Sequence, residues 1–399
     1  MTEHRIEVAD VFRQHELEFL KRWGHAISAQ QLRAFRDICA CRTAALGAHI
    51  EQCDNCSQQI IAYDSCRGAL WARHCPKCQS TARDKWLTAQ SAELLPVPYC
   101  HVVFTLPQEL SLLALQNPRV VYGMLFRAVS ETLLTIAADP RRLGAHIGFL
   151  SVLHTWNQKM LPHPHLHCLI PAGGLSLDRS RWIRCRRRFF LPVKVLGRLF
   201  RRKFLAFLDA AYRKKQLHLF GTLAYLQAPD KFTRFLLQLR SLHWVVYAKR
   251  PFGGPEHVIK YLARYTHRVA ISNGRLLEMR DDQVTFRWRD SANGNQQKRM
   301  TLDAIEFIRR FLLHVLPSGF VKIRHFGFLA NRNRREGLPL CRSLLPPPPA
   351  PVSTLLTETQ QRAVERKCPF CKTGTLHLID RIPPGKSIPV TTAAYQDTS

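Results

Sequence analysis

The sequence predicts an α+β fold in which a central antiparallel sheet is preceded by a small zinc-binding domain. Three observations carry this. Two runs rich in β-branched and aromatic residues, Cys100–Leu106 and Ile147–Trp156, are separated by a long helical stretch. The segment His163-Pro-His-Leu-His-Cys-Leu-Ile-Pro171 follows the second run after a short polar turn, which makes the two a candidate hairpin at the centre of the sheet. Ahead of the sheet, Cys53-Asp-Asn-Cys56 and Cys75-Pro-Lys-Cys78 have the paired spacing of a structural zinc site.

At 399 residues the chain is long enough for two or three domains. It carries 59 Lys and Arg against 29 Asp and Glu, a net charge of +30. Such an excess repels itself unless a polyanion is near, so it predicts salt-dependent phosphate binding. No apolar run approaches the length of a membrane span, and no signal peptide opens the sequence. The expectation is a cytoplasmic, nucleoid-associated protein with DNA and no membrane as partner. The 13 cysteines are odd in number and several fall in Cys-x-x-Cys pairs, which argues for zinc in a reducing compartment rather than disulfides.

Taken in order, residues 1–36 read as helical, with Phe12, Leu17, Leu20 and Trp23 as an apolar stripe. Cys53, Cys56, Cys75 and Cys78 then form the candidate zinc set. Cys39, Cys41, His49, Cys66 and His74 lie close by; one of them could substitute, with Cys66 and His74 foremost, or several could build a second site. Pro96 and Pro98 mark a boundary, giving an N-terminal helical and zinc-binding domain over 1–95. A second domain is expected over 96–335. Residues 336–399 read as a proline-rich linker and a partly disordered tail, with disorder from about Lys386. That tail carries half a zinc site, Cys368-Pro-Phe-Cys371, with Cys341 and His377 as candidate partners.

Within the second domain, residues 107–137 read as helical and end before Asp139-Pro140. From Arg179 to Lys203 there is no acidic residue. Arg186, Arg187, Arg188, Arg201 and Arg202 lie here, interleaved with Trp182, Phe189, Phe190 and Phe200, a pattern that predicts phosphate contact with base stacking. An amphipathic helix is expected over 192–216, with Val195, Leu199, Leu208 and Ala211 on its apolar side. A strand from His243 is followed by the turn Pro251-Phe-Gly-Gly-Pro255. Next comes a helix presenting Tyr261 and Tyr265 on one face beside Lys260, Arg264, His267 and Arg268. A hairpin over 271–289, a helix over 302–315 and a strand over 321–328 complete the domain.

Side chains alternate across a strand, so His165 and His167 share one face while Leu166 turns into the core. Two imidazoles side by side can hold a divalent metal and leave positions open. Two rarely suffice, and the sequence leaves the third ligand open among Glu256, His257, His163 and Gln158, with His154 on the preceding strand. Mg²⁺ or Mn²⁺ suits phosphoryl chemistry; zinc suits imidazole but tends to close the site. A cation there could bind a scissile phosphate, and a tyrosine oxygen could attack it.

These residues resemble the HUH nucleases, in which histidine, a hydrophobic residue and histidine pair with a tyrosine helix: here His165, Leu166 and His167 with Tyr261 and Tyr265. The closer resemblance is to the rolling-circle transposases of bacterial insertion sequences called the ninety-one family. It rests on Arg42-Thr-Ala-Ala-Leu-Gly47, the Cys53 and Cys56 pair, Arg73-His-Cys-Pro-Lys-Cys78 and Val103-Phe-Thr-Leu-Pro107. It rests also on His163-Pro-His-Leu-His-Cys168, Tyr261–Ser272, His314-Val-Leu-Pro317 and Ile323-Arg-His325. One departure is Gly68-Ala-Leu-Trp-Ala72, where the family has a shorter link. The resemblance implies a ferredoxin-like HUH domain, nicking of single-stranded DNA at element ends, a 5′-phosphotyrosine intermediate and rolling-circle-like movement. Two other readings compete with it. A non-catalytic zinc-dependent DNA-binding protein leaves the paired histidines and tyrosines unexplained. A replication initiator or relaxase is disfavoured by the zinc-first layout and by the lack of a helicase motif.

Overall fold

The computed structural model describes residues 5–66, 74–185, 190–252, 258, 270–290, 293–346, 366–386 and 393–394. Its centre is a five-stranded antiparallel sheet built from β3 (Tyr99–Thr105), β5 (Gly148–Trp156), β6 (Pro162–Pro171), β9 (Val246–Phe252) and β13 (Ile323–Gly327). The spatial order is β13-β5-β6-β3-β9. Helices α5 (Ser111–Gln116) and α6 (Pro118–Ala138) connect β3 to β5, and α7 (Val193–Arg213) and α8 (Pro229–Ser241) lie between β6 and β9. This is the split β-α-β arrangement of a ferredoxin-like fold, with β13 added at one edge.

Alternation along the strands divides the sheet into two faces. Val102, Phe104, Phe149, Leu153, Leu166, Cys168 and Ile170 point to the helical layer and join the largest core. From α7 that core receives Leu196, Phe200, Phe204, Leu208 and Ala211, spaced by three or four residues as one helix face requires. Leu208 and Ala211 are buried as expected, but the first half of the stripe is displaced by one position: Val195 and Leu199 are only partly buried, beside Leu196 and Phe200. The aromatic rings decide the rotation of the helix, because burying a Phe gains about 1.5–3 kcal/mol. Phe200 and Phe190 are therefore core residues and not base-stacking platforms. Trp182 is half-buried against Phe328, with ring centroids 6.1 Å apart.

Helix α6 is long and apolar enough by composition to cross a membrane, yet 67% of its apolar window is buried inside the protein. It starts with Pro118, whose missing N–H costs nothing at a helix start.

A second core joins α1 (Val8–Gln14), α2 (Glu16–Trp23) and α3 (Ala29–Ala40) to a distant part of the chain. That part is a three-stranded sheet of β10 (Leu276–Arg280), β11 (Gln283–Asp290) and β12 (Gln296–Asp303), with the helix Ala304–Leu312. Phe12 contacts Phe35 and Phe311 at centroid distances of 5.1 and 5.3 Å. Strand β12 had no sequence signal because both of its faces are largely polar and exposed. It takes the first residues expected to be helical; the helix starts only after Asp303, whose carboxylate accepts from the Glu306 N–H.

The tail does not stand apart. Strand β14 (Leu376–Ile382) pairs antiparallel with β1 (Ala48–Cys53), which also pairs with β2 (Gln59–Tyr63). Most of the final stretch expected to be disordered, 387–392 and 395–399, lies outside the described residues.

Candidate metal and DNA-processing site

The face of the central sheet opposite the helices carries histidines. Strand register sets His154 of β5 against His165 of β6, and Val152 against His167. A ligand atom from each of His154, His165 and His167 lies within 4.8 Å of the others. Ring centroids are 4.6 Å apart for His154 and His167, and 4.9 Å for His165 and His167. His154 stacks on Trp156 at 4.8 Å, which fixes its ring plane. Of the third-ligand candidates, His163 and Gln158 are outside this group. His163 sits beside His165, and Gln158 is in the exposed turn between β5 and β6, its carbonyl accepting from Arg275. Glu256 and His257 lie outside the described residues.

The tautomers are set by neighbours. His165 Nδ1 is 2.6 Å from the His163 carbonyl, which can only accept, so Nδ1 carries the proton and Nε2 keeps its lone pair. Burial pushes the His165 pKa down to about 4, which keeps the ring neutral and able to bind a metal. His101, on β3, places Nε2 2.9 Å from His167 Nδ1. Sequence reasoning missed this residue. Its signal was parity: His101 is two residues before Val103, which pairs with His167.

The cysteines are gathered differently from the sequence prediction. Cys75 and Cys78 do not share a site with Cys53 and Cys56. They join Cys41 and Cys66, all four buried. Cys41 to Cys78 is 3.5 Å, Cys66 to Cys78 3.4 Å and Cys75 to Cys41 3.6 Å between sulfurs. Four thiolates bound to one Zn²⁺ at about 2.3 Å form a tetrahedron with edges of about 3.8 Å, so the donors fit that ion. Local structure explains the set: Cys41 ends α3, and Cys75 caps α4 (Pro76–Ser91), whose first turn carries Cys78. Cys66 is a ligand candidate as expected; His74 is half-buried and outside the cluster.

Cys53 and Cys56 instead meet Cys368 and Cys371, with Cys53 to Cys371 and Cys56 to Cys368 both 3.6 Å. The tail cysteines do not use Cys341, which is buried in another core, or His377, which bonds to Asp54.

Of the basic candidates, Arg201 is half-buried, its guanidinium donating to the Leu242 carbonyl at 3.5 Å, and Arg202 is exposed. Arg186, Arg187 and Arg188 lie outside the described residues, as do Tyr261, Tyr265, Lys260, Arg264 and Arg268. Val258 is described: it is fully buried with Leu150, Val152 and Leu169, on the histidine face of the sheet.

Known proteins converge on the same reading. Residues 148–336 match a family described as "Putative transposase", and residues 11–106 match a "Transposase zinc-binding domain". The chain is 51% identical over 382 residues to a protein of Sinorhizobium fredii named "Putative transposase y4qJ", covering 94% of this chain and 95% of that one. It is 28% identical over 366 residues to the "Transposase for insertion sequence element IS801" of Pseudomonas savastanoi pv. phaseolicola, covering 87% and 83%. No solved structure matches significantly. With a ferredoxin-like sheet bearing a histidine cluster, a match to the zinc-binding domain of these transposases and 51% identity over 94% of its length to a transposase relative, the chain belongs to the IS91 family of insertion-sequence transposases.

Proposed function

We propose that this transposase nicks and rejoins single-stranded DNA at insertion-sequence ends through a tyrosine–DNA intermediate. The observation that carries the reading is the convergence of His154, His165 and His167 from two adjacent strands. A second supports it: Val258, three residues before Tyr261 in the sequence, packs on the same sheet face.

His154, His165 and His167 would hold a divalent cation, Mg²⁺ or Mn²⁺, which when bound offsets charge on the scissile phosphate and orients it. The His163 carbonyl holds His165 in the metal-binding tautomer, and His101 does the same for His167 when its Nε2 accepts from the His167 Nδ1–H. The hydroxyl of Tyr261 or Tyr265 attacks phosphorus, forming a phenol–phosphate bond as the bond to the 3′ oxygen breaks. The phenol loses its proton and the 3′ oxygen gains one. The DNA remains joined to the protein as a 5′-phosphotyrosine, so a free 3′ hydroxyl can reverse the step without a nucleotide cofactor. Two tyrosines permit two successive transfers, as rolling-circle-like movement requires. Arg186, Arg187, Arg188, Arg201, Arg202, Lys260, Arg264 and Arg268 neutralise the flanking phosphates. The buried cluster of Cys41, Cys66, Cys75 and Cys78 would hold a structural Zn²⁺ in the N-terminal region. The setting for this chemistry is the bacterial nucleoid in the cytoplasm.

The test is covalent capture of end-labelled single-stranded DNA with Mg²⁺ or Mn²⁺. Capture should weaken in Tyr261→Phe or Tyr265→Phe and vanish in the double variant. His165→Ala with His167→Ala should bind DNA but not cut it. Capture that persists in the double tyrosine variant rejects the nucleophile, and cutting by the histidine variant rejects the cation site.

A further inference from the structure

The zinc-binding domain match ends at residue 106, and the other match spans 148–336; Cys368 and Cys371 lie beyond both. We propose that these two cysteines, with Cys53 and Cys56, hold a second structural zinc ion that closes a zinc ribbon split between the two ends of the chain.

The geometry is that of two facing knuckles. In the first, Cys53 Sγ accepts from the Asn55 N–H at 3.4 Å, and the Ser57 N–H closes the turn on the Cys53 carbonyl at 3.1 Å. In the second, Cys371 Sγ accepts from the Gly374 N–H at 3.3 Å, and the Lys372 N–H closes the turn on the Cys368 carbonyl at 2.9 Å. Sulfur-directed N–H groups stabilise thiolates, and four thiolates this close need a cation between them. The 3.6 Å separations across the two knuckles match the edge of a tetrahedron around one zinc ion, about 3.8 Å. An iron–sulfur cluster would hold its thiolates farther apart. All-sulfur tetrahedral donors otherwise select zinc.

The protein around the four sulfurs is built for this closure. Strand β14 runs along β1 from Ala48↔Ile382 to Cys53↔Leu376, which brings the knuckles to the same end of the sheet. Asp54 accepts from the Thr375 N–H at 2.8 Å and pairs with His377 at 3.3 Å. Arg366 reaches Glu51 at 2.7 Å, and Asn55 donates to Thr373 at 2.8 Å. Gly374 lies so close to Cys53, Asp54 and Asn55 that a Cβ there would collide with all three. Apolar packing alone is thin. Ala48, Ile50, Ile61 and Ile382 form one small cluster, and Cys53, Ile60, Cys368 and Leu376 another. Regions with cores this small usually depend on a metal or a disulfide.

The test uses the full-length chain and a thiol-specific mercurial, with released zinc read by a metallochromic dye; an ion on the histidines is not released by thiol chemistry. The wild type should release two zinc ions per chain, one from each four-cysteine cluster. Cys56→Ser and Cys368→Ser should each lose one, and the combination should still lose only one, because both changes empty the same site. Cys66→Ser should lose the other ion. A wild type that releases a single zinc, or a Cys56→Ser, Cys368→Ser combination that loses both ions, overturns the proposal. Zinc-edge absorption on the wild-type chain checks this without any variant. A first shell of sulfur alone at about 2.3 Å is expected. A nitrogen or oxygen share in the thiol-releasable zinc rejects the shared ribbon.

Discussion

His101 Nε2 stands 2.9 Å from His167 Nδ1, two buried rings on neighbouring strands stacked at 15° with centroids 5.2 Å apart. If His101 accepts, His167 carries its proton on Nδ1 and keeps the lone pair of Nε2, the form that binds a cation. On the proposed reading, His101 would be a positioning residue for a cation held by His154, His165 and His167. Partners of metal-bound histidines typically contribute about 10–100-fold in metal affinity or activity. His101→Phe should therefore weaken Mn²⁺ binding by about 10–100-fold, measured by calorimetry, with single-stranded DNA affinity unchanged. His101→Gln, which can accept through Oε1, should recover part of the loss. Equal Mn²⁺ affinity in wild type and His101→Phe would remove the role.

His314 joins the second core to the histidine strands. Its ring contacts Thr155 Oγ1 at 3.1 Å and the Met160 carbonyl at 3.0 Å. Burial pushes its pKa down to about 4 from an ordinary 6.5. The unfolded chain therefore takes up the proton more readily, and stability is lost as pH falls through 6.5 towards 4. The loss amounts to about 3 kcal/mol when complete. Thermal unfolding followed between pH 7.5 and 4.5 should show it. His314→Gln should lower Tm at pH 7.5 and flatten the acid limb; an unchanged slope would show that other groups set the acid limit.

Gly374 is required by contact and not by backbone angle. Gly374→Ala should destabilise the β1–β14 ribbon by about 1–3 kcal/mol and speed zinc loss to a chelator, with the buried cluster around Cys66 unaffected. The readout is the rate of each zinc-release phase. Two phases identical to wild type would mean the glycine has room to move.

Phe200 distinguishes core from interface. Its ring meets Phe104 at 5.2 Å and Trp244 at 5.2 Å, with no exposed surface. Phe200→Ala should cost about 3–5 kcal/mol of folding stability by denaturant unfolding. The affinity for single-stranded DNA and its salt dependence should stay the same below the unfolding midpoint. A selective loss of DNA affinity would restore the stacking role.

What the sequence disclosed follows the range of the interactions. His165 and His167 were legible because a strand's period of two acts between near neighbours, and Leu166 took its core place for the same reason. His154 was legible only as one third-ligand candidate among several, because its meeting with His165 depends on cross-strand register. That register is broken by an irregularity between His154 and Trp156. The cysteines follow the same logic. Each Cys-x-x-Cys knuckle is local and was readable, but which knuckles meet is decided by tertiary folding. Pairing nearest neighbours along the chain gave the wrong partners. The order β13-β5-β6-β3-β9 likewise needs contacts between segments far apart in sequence. Phe200 misled because an aromatic among arginines has the same composition whether its helix face points in or out.

The seam between β1 and β14 also fixes when this protein can finish folding. The hairpin Ala48–Tyr63 is synthesised first, but its thiol pair waits for cysteines that lie 312 residues further along the chain, as Cys56 and Cys368 do. A copy of the gene with a stop codon ahead of Cys368 would keep His154, His165, His167, Tyr261 and Tyr265 and still leave that first hairpin without its third strand. Damage to the segment around β14 would be felt at a hairpin some three hundred residues away in sequence.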